Sequence, residues 1–125
     1  MARILVADDD LDQVTLRKSL LEAGGHEVSV ALQTSSTVLH VERGETDVVI
    51  MDLRFPNCDG EPDSAEGLAL IRRIRELGCR APVIVLSGWP EDLYGQPEEQ
   101  MVSRVMVKPV SMQDLLGTIA EVLAS

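Results

Sequence analysis

Residues 4 to 10 read ILVADDD: four apolar residues run directly into three aspartates. A continuous apolar run of this length, bounded by polar residues, is the signature of a strand buried on both faces, as in a parallel sheet covered by helices. Four further β-branched runs follow: EVSVA (27 to 31), DVVIMD (47 to 52), PVIVLS (82 to 87) and RVMVKP (104 to 109). Most lack alternation, and the segments between them are long enough to be crossover helices.

The connectors carry helical patterns. Leu11, Val14 and Leu21, flanked by Leu20, predict a first helix ending at Gly24-Gly25. Thr34 to Gly44 predicts a second. Leu68, Ile71, Ile74 and Leu77 predict a third, opened by a box-like Asp63-Ser-Ala-Glu66 and stopped by Gly78. Leu115, Ile119, Val122 and Leu123 predict a closing helix after Ser111. Pro90, Gly95 and Pro97 interrupt the fourth connector, where any helix is short or begins after Pro97. Residues 55 to 63 read as a long loop. The expected fold is α/β: a flavodoxin-like, doubly wound five-stranded parallel sheet of order 2-1-3-4-5 with helices on both faces, forming one domain over residues 1 to 125.

Composition narrows the function. The 21 acidic against 11 basic residues give a net charge of −10, which opposes attraction to nucleic acid or an anionic membrane. No segment approaches the roughly 20 apolar residues of a membrane span, and the N-terminus is too short in apolar residues for a signal peptide. The expected location is cytoplasmic. Cys58 and Cys79 form no metal or redox spacing and read as free thiols.

In such a sheet ligands bind at the carboxyl ends of the strands. Those ends carry Asp8, Asp9 and Asp10 on strand one, Asp52 on strand three, Ser87 on strand four and Lys108 on strand five. Clustered carboxylates are tolerable around a divalent cation, and an all-oxygen set suits Mg²⁺. Lys108 adds a fixed positive charge, Ser87 a hydroxyl, and Asp52, the single acid on the central strand, is the natural nucleophile for an acyl phosphate.

Asp8-Asp9 after ILVA, Asp52 in VVIMDLRFP, Ser87 in VIVLSG and Lys108-Pro109 in VMVKP together resemble the receiver domain of two-component response regulators, the CheY-like superfamily, over essentially the whole chain. The resemblance implies a phosphoacceptor rather than a turnover enzyme. Asp52 would take a phosphoryl group from a histidine kinase or histidine phosphotransfer protein. Mg²⁺ would be held by Asp9, Asp52 and the Arg54 carbonyl, with Asp8 acting through water. Ser87 and Lys108 would grip the phosphoryl oxygens, and the Lys108-Pro109 peptide would be cis. A downstream protein, or an output domain outside this chain, would receive the signal. Apart from the resemblance, two readings of Trp89 stand open: it covers apolar surface, or it and Arg54, each two residues beyond a site residue, partly cover Asp52 and slow attack by water.

Three departures stand out. Val105 occupies the position of the family's aromatic switch, about seven residues are extra between Asp52 and the third helix, and the fourth helical region is irregular. Two other readings compete. DLDQVT (10 to 15) faintly resembles the Asp-x-Asp motif of haloacid-dehalogenase-like phosphatases, with Asp10 as nucleophile, but no acidic pair follows Lys108 to complete that metal site. A pseudo-receiver that binds partners without phosphorylation is the other, and the full residue set argues against it.

Overall fold

The computed structural model describes residues 2–124. In chain order its elements are β1 (Arg3–Ala7), α1 (Leu11–Ala23), β2 (Glu27–Ala31), α2 (Thr34–Glu42), β3 (Val48–Met51), β4 (Phe55–Pro56), β5 (Pro62–Asp63), α3 (Ser64–Glu76), β6 (Val83–Ser87), β7 (Arg104–Val107) and α4 (Met112–Ala124). The main sheet is parallel throughout, in the order β2-β1-β3-β6-β7. This is the expected 2-1-3-4-5 arrangement, with a small antiparallel pair, β4 and β5, added beside it.

The period of two along each strand sorts the core into two layers. Leu5, Ala7, Val49, Met51, Val83 and Val85 face α2 and α3, meeting Val41, Leu70, Ile71 and Ile74. Ile4, Val6, Val48, Ile50, Ile84 and Leu86 face the other side, where α1 supplies Val14 and Leu21 and α4 supplies Leu115, Ile119 and Val122. Unbroken apolar runs are thus the correct chemistry for strands buried on both sides.

Helix termini follow local chemistry. The Asp10 carboxylate accepts the Gln13 N–H and caps α1. Beyond its other end Gly25 takes φ +93°, and the His26 N–H returns to the Leu21 carbonyl. Asp63 caps α3 by accepting from the Ala65 N–H, one residue short of the expected box with Glu66. Ser111 caps α4 through the Asp114 N–H.

Three expectations are corrected. Leu11 lies on the solvent side of α1, 59% exposed, because the buried stripe runs through Val14 and Leu21 alone. Leu123 is likewise exposed beside buried Val122. The segment 55 to 63 is a hairpin rather than an irregular loop: Asn57 Oδ1 accepts the N–H groups of Asp59 and Glu61, and Gly60 supplies φ +78°. The fourth connector, as expected, holds only short helical pieces, the two 3-10 turns Pro90–Asp92 and Pro97–Met101. Arg75 of α3 ties the second turn down, donating to the carbonyls of Met101, Cys79 and Ala81, while Arg72 pairs with Glu98, which is only 3% exposed.

One close approach requires glycine for lack of space. A Cβ on Gly67 would collide with the Leu53 carbonyl oxygen, so the first turn of α3 rests directly on the backbone that follows Asp52. Among the described residues no helix is long and apolar enough to cross a membrane.

Candidate functional site

Backbone hydrogen bonds continue past the strand ends and fix the site. The Asp52 N–H donates to the Ala7 carbonyl, the Asp8 N–H to Ala31 and the Lys108 N–H to Ser87. Met51 lies in register with Val85, which sets Ser87 one strand over and one residue past the level of Asp52. The Lys108-Pro109 peptide is cis, as the resemblance implies.

Lys108 draws the acids together. Its Nζ donates to Asp52 Oδ2 at 2.9 Å and to Asp8 Oδ2 at 3.0 Å. Asp8 is 2% exposed, and a carboxylate so placed is tolerated only when its charge is met. Arg17 supplies a second cation at 3.4 Å, and the Asp10 N–H donates to Asp8 Oδ1. Burial pushes the Asp8 carboxyl up, but the Asp10 N–H, Lys108 and Arg17 together outweigh it and hold it below the ordinary aspartate value.

Asp9 has the opposite environment. It is raised by burial first, then by its hydrogen bond to Asp8 and by the negative charges of Asp8 and Asp52. Among the described residues no basic side chain pairs with it. The Asp52 Oδ1 oxygen accepts the Leu53 N–H at 2.6 Å and the Arg54 N–H at 3.4 Å, so two backbone donors orient its carboxylate from behind while Lys108 meets the other oxygen. Ser87 is fully buried, and its Oγ accepts the Trp89 N–H at 3.0 Å.

The site therefore assembles Asp8, Asp9, Asp52, Ser87 and Lys108 at adjoining strand ends, with Arg54 at its rim. Among the described residues no three acidic, cysteine or histidine side chains are already grouped as a metal-ligand set; the ammonium of Lys108 takes the place between Asp8 and Asp52. The donor chemistry still fits a hard dication: the available ligands are oxygen atoms, and Asp9, raised by burial first and then by Asp8 and Asp52, has no basic side chain to meet its charge among the described residues.

Sequence reasoning missed two participants. Arg17 was legible, being three residues after Val14 and four before Leu21 and so on the buried stripe of α1. Asp92, which receives the Arg54 guanidinium at 2.8 Å, carried no signal inside its Pro-flanked turn. Asp10, nucleophile of the phosphatase alternative, is occupied as the α1 cap.

Comparison with known proteins identifies the family and the fold. The sequence model of the response regulator receiver domain matches residues 4–120. The chain is 25% identical over 122 residues to the transcriptional regulatory protein ZraR of Escherichia coli K12, covering 97% of this chain and 26% of that one. It is 33% identical over 119 residues to the transcriptional regulatory protein PdtaR of Mycobacterium tuberculosis H37Rv, covering 94% and 54%. The chain thus spans about a quarter and about half of these relatives. Among solved structures, the response regulator TrrA of Thermotoga maritima superposes with a TM-score of 0.83 at 24% identity, covering 98% of this chain and 99% of that one.

Proposed function

Since this chain belongs to the response regulator receiver domain family, we propose that it accepts a phosphoryl group on Asp52 and changes a partner-binding surface in response. The observation that carries this is the placement of Lys108 on Asp52 and Asp8. A cation on one oxygen and two N–H donors on the other hold the Asp52 carboxylate for in-line attack. The Oδ–P bond forms as the P–N bond to a donor histidine breaks, the electron pair remaining with the imidazole. Lys108 then follows the charge onto the phosphoryl oxygens, and Ser87 offers its hydroxyl to one of them.

Mg²⁺ would be held by Asp9, Asp52 and the Arg54 carbonyl, with Asp8 acting through water, and when bound would neutralise the phosphoryl charge. TrrA is described in complex with Mg(2+)-BeF, and the acid set here supports the same chemistry. The donor is a histidine kinase or histidine phosphotransfer protein. The receiver of the signal is a downstream protein or an attached output domain, a reading supported by the larger relatives. The phosphatase reading gains nothing, because Asp10 faces the first turn of α1.

Incubation with a small acyl-phosphate donor and Mg²⁺, followed by intact-mass measurement, tests this. One phosphoryl mass is expected on the wild type and none on Asp52→Asn or in excess chelator. A gain that survives Asp52→Asn, or none on the wild type, would overturn it.

A further inference from the structure

The function proposed above uses only the carbonyl of Arg54, yet its side chain is the most connected group at the rim. Nε donates to Asp92 Oδ2 at 2.8 Å and Nη2 to Asp92 Oδ1 at 3.4 Å. The same guanidinium stacks on Trp89, Cζ lying 3.9 Å from the ring centroid. Its basicity is raised by the Asp92 hydrogen bond first and, lower in order, by the charge of Asp52. One cation thus stands in the field of three carboxylates, those of Asp92, Glu91 and Asp52, and is bonded to the first.

Trp89 and Asp92 belong to the turn that follows Ser87. The Trp89 N–H rests on Ser87 Oγ, the Asp92 N–H on the Trp89 carbonyl, and Leu93 anchors the turn in the core. Building on the assignment of Asp52, we propose that the Arg54 side chain is a phosphoryl-positioning group: on modification of Asp52 it leaves Asp92 for the phosphoryl oxygens and so frees Trp89 and the turn Pro90–Asp92.

Three physical points support the exchange. A phosphoryl group carries about 1.5 to 2 negative charges and three acceptor oxygens, against one charge on Asp92, and the guanidinium fork fits either partner in bidentate fashion. Arg54 is two residues from Asp52, so a long side chain can turn while the backbone stays. The pair it leaves is partly solvated, with side-chain exposures of 31% and 17%, so separating it strands no deeply buried charge. The exchange also supplies a signal route in a chain whose Val105 has no ring and packs against the α3-side core.

The test uses Trp89, the single tryptophan, during titration of the full chain with beryllofluoride in saturating Mg²⁺. Trp89 emission should shift on saturation in the wild type. Asp92→Asn, which removes the competing charge and keeps the shape, should lower the half-saturating concentration about three- to fivefold, the scale of one partly exposed ion pair. Arg54→Met should raise it and abolish the emission shift. An unchanged half-saturation in Asp92→Asn, or wild-type behaviour in Arg54→Met, overturns the inference while leaving the Asp52 assignment standing, provided intact mass shows wild type and Asp92→Asn both phosphorylated. Absence of any phosphoryl mass on the wild type would overturn both.

Discussion

The ammonium of Lys108 stands 2.9 Å from Oδ2 of Asp52, joining two strand ends that are 56 residues apart in the chain. It also meets Asp8, so it is the counterion that lets two acids share the end of the sheet. Replacing it with an apolar residue of similar length separates its two roles. Lys108→Met should lose about 1–3 kcal/mol of stability, because Asp8 is left buried with Arg17, at 3.4 Å, as its one remaining cation beside the Asp10 N–H. The same variant should bind Mg²⁺ more tightly, since a competing cation has gone, yet accept the phosphoryl group at least tenfold more slowly. Urea unfolding, Mg²⁺ titration and donor-dependent mass gain read the three effects.

Asp9 bears the cost of burial beside other acids. A folded-state pKa raised above the unfolded value marks a contribution that is full below the ordinary aspartate pKa and lost as the pH rises through the raised one. Ionised Asp9 therefore weakens the metal-free fold at neutral pH. Asp9→Asn should raise the melting temperature in chelator by about 1–3 °C, discounted for its solvent exposure, and should abolish the further rise expected for the wild type on adding Mg²⁺. Asp8, held low, has the opposite sign: its stabilisation is full above the ordinary aspartate pKa and lost as acid titrates it through the lowered one.

Two glycines in helices make a matched pair. Gly67→Ala forces a methyl group into the Leu53 carbonyl and should cost about 1–3 kcal/mol or more. Gly117→Ala in α4 meets nothing within 4 Å and should add about 0.5–1 kcal/mol by helix propensity. Urea midpoints of opposite sign are the expected result.

Arg75 is the fastener of the irregular fourth connector. Arg75→Met removes its bonds to the carbonyls of Met101, Cys79 and Ala81. Limited proteolysis should then cut between 95 and 103 well before the wild type is touched, with the helices intact.

Much of this architecture was legible because parallel strands buried on both faces leave unbroken β-branched runs, and because the residues at their carboxyl ends are polar in an otherwise apolar context. Asp8, Asp52, Ser87 and Lys108 each stand where such a run stops. The hairpin over residues 55 to 63 was not legible: its strands are two residues long and both contain proline, so the alternation that marks a strand never develops. Its order comes from a side chain, Asn57, bonding its own loop. Leu11 misled for a different reason. One apolar residue at helical spacing does not reveal which edge of the stripe it occupies, and here it falls on the wet side. The Arg54-Asp92 contact joins residues 38 apart through a turn with no periodicity, a relation that only folding creates.

The bare contact between Gly67 and Leu53 has a mechanical consequence. With no side chain to act as a cushion, strain introduced at the neighbouring aspartyl group reaches the start of α3 as a push on main chain, undamped by rotamer changes. A shift of the strand end would then move the start of α3, and the hairpin leading into it, as one piece.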